Sequence, residues 1–210
     1  PIIAVTSCGA TKDEEYSFSG EVYEGGTHKL SSSFIKSLEN FKNTKIAYLE
    51  NKSSLLDDVE TAAAIVVGKD FKYPEVTYNF SSLNIDYFSP EIFKYMDFGK
   101  VGARINIILK NNNLKSFDFN SVPRIVSSID LSNNKFTGKL NTSFINKAWP
   151  IKINLNNNNL SSIDYDEINK YIKTPNNKTK VSSIVVISDS ENPLLWANKG
   201  AWFPKRDMFR

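Results

Sequence analysis

The chain has 210 residues, of which 40% are hydrophobic and 23% charged, and its formal net charge is only +3. This length can bury one sizeable core, or an array of repeats with a small cap. The lysines are scattered singly and form no basic stripe, so the composition argues against a nucleic-acid partner. No run of 18 apolar residues occurs, and the single cysteine excludes an internal disulfide framework.

The N-terminal segment carries a pattern centred on that cysteine. An aliphatic residue and two small residues, Val5, Thr6 and Ser7, precede Cys8, and Lys12 followed by acidic residues lies just behind it. This arrangement resembles the lipobox and export signal of Bacteroidetes-type lipoproteins. The resemblance implies a signal-peptide remnant at 1–7, acylation of Cys8, a lipidated flexible tether over 8–30, and an outward-facing position on a bacterial outer membrane. The alternative is an idle or buried cysteine behind a short strand.

The segment from 31 to 75 is predicted to form an N-terminal cap or divergent repeats. Phe34, Leu38 and Phe41 follow helical spacing after a serine run that can cap a helix, and a second helix is predicted over 55–67. His28, in the loop before them, is predicted to be a solvated residue. Two loose repeat copies are also possible. They read Ile46-x-Tyr48-x-x-Asn51 and Val76-x-Tyr78-x-x-Ser81-x-Leu83.

A clearer repeat follows residue 102. Its copies read Ile107-x-Leu109-x-x-Asn112-x-Leu114, Ile129-x-Leu131-x-x-Asn134-x-Phe136, Ile153-x-Leu155-x-x-Asn158-x-Leu160 and, more weakly, Ile184-x-Val186-x-x-Asp189. The pattern is typical of leucine-rich repeats, and the first two steps, 22 and 24 residues, lie within the range of that family. In this pattern two alternating aliphatic residues form a short strand, and the amide after them turns inward to satisfy main-chain groups. We therefore predict a structural ladder of Asn112, Asn134, Asn158 and Asp189.

The resemblance to leucine-rich-repeat proteins implies an α/β fold, a short solenoid with parallel strands on its concave face. The repeats are expected over 76–192, behind a helical or extended N-terminal cap. An aromatic cap is expected over 193–210, and the sequence leaves open whether that cap is cut short.

Residues that alternate with the inward ones are expected to point outward from the concave face and to bind a ligand. They are Asn106, Ile108, Lys110, Ser128, Asp130, Ser132, Lys152, Asn154, Asn156, Ser183, Val185 and Ile187. The bland alternative is a solvated sheet face with no ligand.

The family resemblance favours recognition or adhesion through a protein partner, for example a component of a host or neighbouring cell. The alternative is a glycan-binding accessory lipoprotein of an outer-membrane uptake system, because Trp196 and Trp202 in the aromatic tail could stack on sugar rings. One histidine, one cysteine and no recognisable catalytic motif predict that the chain is not an enzyme and holds no metal or cofactor.

Overall fold

The computed structural model describes residues 17–56, 74–99, 103–141, 151–164, 185–189 and 192. They form a mixed α/β fold with parallel sheets. The elements are helix α1 (Ser32–Leu56) and strands β1 (Glu75–Asn79), β2 (Arg104–Ile108), β3 (Val126–Asp130), β4 (Thr137–Lys139), β5 (Ile151–Asn154), β6 (Asn159–Ser162) and β7 (Val185–Ser188). Short 3₁₀ turns at Pro90–Met96 and Phe119–Ser121 lie in the connections before β2 and β3.

Five of the strands form one parallel sheet in the order β1-β2-β3-β5-β7, so the strands follow each other in space as they do along the chain. Strands β4 and β6 pair in a second parallel sheet. Each follows the turn after a strand of the main sheet. We call each main-sheet strand, with the turn behind it, a unit.

The core lies on one side of the main sheet, because the strands alternate between buried and partly exposed residues. In β2, Ile105 and Ile107 are buried whereas Asn106 and Ile108 are partly exposed. The register places equivalent inward residues of successive units side by side. They are Tyr78, Ile107, Ile129, Ile153 and Ile187, which follow each other at steps of 29, 22, 24 and 34 residues.

Helix α1 and the segment before it close the β1 end of this core. The Ser31 hydroxyl accepts a hydrogen bond from the Phe34 N–H at 3.2 Å, so a serine caps the helix as the sequence predicts. Phe34, Leu38 and Phe41 are buried on one face of the helix. The helix runs on to Leu56, so the predicted repeat copy around Tyr48 is wrong. Ala47, Leu49 and Glu50 within that stretch favour a helix.

The segment from 17 to 30 also belongs to the packed structure. Phe18, Val22 and Leu30 are buried in the core, and the Phe18 N–H donates to the Asn79 carbonyl at 2.9 Å along the free edge of β1. The prediction of a flexible tether therefore does not hold for residues 17–30. Its few apolar residues are separated by polar and glycine-bearing turns, so the sequence pattern does not reveal this packing.

The first unit lies in the sheet, two residues away from the predicted register. Tyr78 pairs with Ile107, so Phe80 and Leu83 take the places that Leu109 and Asn112 occupy in the next unit. Apolar residues recur at every second position from 76 to 80, so the alternation alone could not fix this register.

Candidate functional site

Buried asparagine amides join successive units behind the strands. The Asn134 Nδ2 donates to the Leu131 carbonyl of its own unit and the Leu109 carbonyl of the unit before it, both at 3.0 Å. Its Oδ1 accepts from the Leu114 N–H at 3.0 Å. Asn112 and Asn158 make equivalent bonds, to which Leu83, Ile85 and Phe136 contribute N–H donors. Each amide thus satisfies main-chain groups of two units and fixes how the chain turns away from the sheet.

The last place in this ladder belongs to Asn192 and not to the predicted Asp189. The Asn192 Nδ2 donates to the Leu155 carbonyl at 2.9 Å and the Asp189 carbonyl at 3.0 Å, and its Oδ1 accepts from the Leu160 N–H at 3.0 Å. Asp189 therefore stands where the other units have Leu109, Leu131 and Leu155.

The same three-residue shift changes the predicted face of β7. Ile187 pairs with the inward Ile153, is partly buried and packs against the core, so its predicted outward position is wrong. Val185 pairs with the inward Ile151 along the backbone, and Ser183 lies outside the described residues. Residues 184–187 are all Ile or Val, so the sequence offers no alternation from which to choose a register.

The remaining predicted face residues form rows across the sheet on the side away from the core. Asn106, Ser128 and Lys152 are neighbours in one row, and Ile108, Asp130 and Asn154 are neighbours in the next. Lys110, Ser132 and Asn156 continue these strands and form a third row. Lys110 and Lys152 are exposed, Ser132 is buried, and the others are partly exposed. We call these nine residues the outer sheet face.

Several oxygen acceptors of this surface are engaged within it. The Ser128 hydroxyl donates to Asn106 Oδ1 at 2.6 Å, and the Asn106 Nδ2 donates to Glu75 Oε2 at 3.1 Å. Asp130 Oδ1 accepts from the Ser132 N–H at 3.0 Å and from its hydroxyl at 2.7 Å. Asn154 Oδ1 similarly accepts from the Asn156 N–H at 3.0 Å. These bonds hold the side chains in fixed positions.

A second row of asparagines, which sequence reasoning missed, lies one residue before the ladder. Asn111, Asn133 and Asn157 have φ angles of +59°, +55° and +53°, in the left-handed region that asparagine tolerates better than most residues. The Asn133 amide donates to Asn111 Oδ1 at 2.8 Å, and the Asn157 amide donates to Asn133. Their signal in the sequence is an Asn-Asn doublet in each unit, which the general abundance of asparagine obscures.

His28 is exposed, but it has neighbours that its isolation in the sequence did not suggest. Its ring stacks on Tyr87 at 4.4 Å between centroids, and its Nε2 lies 3.5 Å from Asp86 Oδ1. Tyr23 anchors the same corner: its hydroxyl donates to the Tyr87 carbonyl at 2.7 Å and accepts from the Ser89 N–H. Burial raises the pKa of the Tyr23 hydroxyl far above its ordinary value of 10.0. These contacts fasten the 23–30 loop to the first unit.

Other predicted sites fall outside the described residues: Cys8, Trp196 and Trp202. Within the part of the chain that the structure describes, no three acidic, histidine or cysteine side chains come together as metal ligands. The helix in that same part is not apolar enough to cross a membrane.

Comparisons with protein families, with curated proteins and with solved structures found no match to this chain.

Proposed function

We propose that the chain is a short leucine-rich-repeat solenoid. The proposal is supported by the repeated sequence pattern together with the sequential parallel strands, the amide ladder and the left-handed residue that recurs before it. A unit of this kind cannot bury its inward side chains alone, so stacked neighbours share one core. In this architecture the outward strand residues lie on the side of the sheet away from the shared core.

We further propose that the outer sheet face binds a protein partner. The observation that carries this proposal is the alignment of small polar side chains of β2, β3 and β5 in rows. Neighbours in a row are about 4.8 Å apart, so the face offers closely spaced hydrogen-bonding groups. The bonds among Glu75, Asn106 and Ser128, and between Asp130 and Ser132, hold these groups in place before a partner arrives. Such preorganisation reduces the entropy lost on binding.

A blocking substitution in the centre of the face tests this proposal. We expect the full chain to capture a protein that cross-linking and mass spectrometry identify, and the purified partner to lose at least tenfold in affinity for Ser128→Trp or Asn154→Trp, which block the face without changing its charge. The matched control is Asn120→Trp, at an exposed position in the Phe119–Ser121 turn. Circular dichroism should be the same for all three variants.

Two results would contradict the proposal. One is unchanged affinity of the identified partner for both blocked variants. The other is specific sugar binding on a glycan array with no captured protein, which would favour the glycan-binding alternative.

For the location of the protein, we propose a lipid anchor at Cys8 that holds the outer sheet face at a bacterial outer membrane, exposed outward. The support is the lipobox resemblance alone. Cells fed an alkyne fatty acid should label the full-length protein, and Cys8→Ser should abolish that label. Surface protease should degrade the anchored protein on intact cells. Label that survives Cys8→Ser would contradict the anchor without affecting the proposed binding function.

A further inference from the structure

The free polar groups of the outer sheet face include three outward-directed donors. Lys110 and Lys152 are exposed, and Asn154 is partly exposed. Among the residues that the structure describes, no hydrogen bond or ion pair engages either lysine ammonium group or the Asn154 Nδ2. A partner that complements this face must therefore bring acceptors to these donors.

No carboxylate among the described residues forms an ion pair with either lysine. Asp130 Oδ1 is held by two bonds from Ser132, and Glu75 Oε2 accepts from Asn106. The row neighbours of Lys152 are Ser128 and Val186, both uncharged. Both lysine ammonium groups thus remain available to a partner. Lys152 lies on β5, and Lys110 follows the end of β2 in the chain.

Their spacing suits an extended chain better than a point-like anion. Strand β3 lies between β2 and β5, so the two lysines are separated by two strand spacings, about 10 Å, in addition to their offset along the strands. A single phosphate or carboxylate cannot bridge that distance. Two isolated cations also fall short of the basic stripe that a nucleic-acid backbone requires.

We propose that the partner presents an acidic protein segment, whose carboxylates bind Lys110 and Lys152 and one of whose acceptors takes the Asn154 Nδ2 proton. This inference rests on the proposed protein-binding function and specifies its chemistry. Complementary charge of this kind speeds association and fixes the orientation of the partner.

The test uses the full chain, labelled with ¹⁵N, and two unlabelled 12-residue peptides that differ only in Glu or Gln at six positions. The Glu peptide should shift the Asn154 side-chain amide and the backbone signals of β5 in low salt, and the Gln peptide should not. Lys110→Gln combined with Lys152→Gln should weaken Glu-peptide binding by about 5- to 30-fold. The matched control pair, Lys36→Gln with Lys135→Gln, removes two exposed lysines outside the face and should change binding less than twofold.

Equal binding of the Glu peptide to both variant pairs would overturn the inference, as would tighter binding of a single-stranded DNA of equal charge. The captured partner separates this failure from that of the proposed function. If Ser128→Trp releases the partner while the Lys→Gln pair retains it fully, the face binds a protein, but not through an acidic segment.

Discussion

The two parts of the hydrophobic core are filled by different side chains. At the α1 end, aromatic rings pack against each other. The ring centroid of Phe80 lies 4.7 Å from that of Phe18 and 6.0 Å from that of Phe34, and the centroids of Phe41 and Tyr78 are 4.7 Å apart. We call these five residues the aromatic end. The units of β2, β3 and β5 instead bury isoleucine and leucine at their inward strand positions. We call these three units the aliphatic units.

The difference follows from the neighbours of each part. An inner unit lies between two similar units, so branched aliphatic side chains of similar volume fill each one, and its amide finds carbonyl groups in its own unit and in the unit before it. The first unit faces the helix and the short Ser17–Phe18 segment. Larger rings fill that irregular space, and Leu83 replaces the ladder asparagine where no complete unit precedes it. The packing of large rings in an irregular space therefore stabilises the aromatic end, whereas equivalent contacts between similar units stabilise the aliphatic units.

The largest effect is expected at the centre of the aromatic end. Phe80→Ala should lower the free energy of unfolding by about 3–5 kcal/mol, because Phe80 is buried against four other rings and its loss leaves a cavity. Urea denaturation followed by circular dichroism measures the change. Tyr48→Ala, at an exposed ring on α1, is the control and should cost less than about 1 kcal/mol. Equal losses for the two variants would mean that the aromatic end is not a tightly packed cap.

The next largest effect is expected when a ladder amide of the aliphatic units is removed. Asn158→Ala leaves the Phe136 N–H without its acceptor and removes one of the two amide donors to each of the Leu131 and Leu155 carbonyls, and we expect a loss of about 1–3 kcal/mol. Asn159→Ala, at the exposed neighbour on β6, should change stability by less than about 0.5 kcal/mol. Thermal unfolding of the two variants side by side provides the measurement. If they melt together, the ladder does not stabilise the units.

The comparison also explains how far the sequence could lead. Wherever a unit repeats, the spacing of residues such as Ile129, Leu131 and Asn134 reveals the strand, the inward face and the turn, because each serves the same purpose in every copy. The predicted register was wrong in β1 and in β7, at the two ends of the main sheet. Strand β7 lies in an uninterrupted run of Ile and Val, and β1 has apolar residues at every second position, so each sequence fits more than one register. The packing of the aromatic end could not be predicted from the sequence, since Phe18 and Phe80, whose rings are in contact, are 62 residues apart along the chain.

The left-handed asparagines provide a smaller test, confined to the aliphatic units. Asn133→Val should cost about 1–2 kcal/mol, because a β-branched side chain is strained at a φ of +55°. Asn133→Gly removes the same amide contacts with Asn111 and Asn157 but tolerates the backbone conformation. Chemical denaturation should therefore rank glycine well above valine. A glycine variant as unstable as the valine variant would assign the stability to the amide row and not to the backbone.

The smallest effect, alkaline destabilisation, should come from the two tyrosines whose hydroxyl pKa is raised by burial, Tyr78 at the aromatic end and Tyr23 in the 23–30 loop. Burial raises the pKa of the Tyr78 hydroxyl far above its ordinary value of 10.0, and that hydroxyl donates to the Tyr95 carbonyl at 2.5 Å. Above pH 10 the unfolded chain loses this proton while the folded chain keeps it. The stabilisation is therefore complete below pH 10 and falls as the pH rises, by about 1.4 kcal/mol for one pH unit.

Tyr78→Phe isolates this contribution. The variant is less stable at pH 8, since the Tyr95 carbonyl loses its donor, but its stability should fall less steeply between pH 10 and pH 11 than that of the parent chain. Urea denaturation at pH 8, 10 and 11 measures both slopes, with Tyr48→Phe, at an exposed ring on α1, as the matched control. Identical slopes for Tyr78→Phe and the parent would place the alkaline sensitivity elsewhere. A shallower slope in Tyr78→Phe but not in Tyr48→Phe would assign this part of the alkaline destabilisation to the aromatic end, and Tyr23→Phe would show separately the part that comes from the Tyr23 hydroxyl.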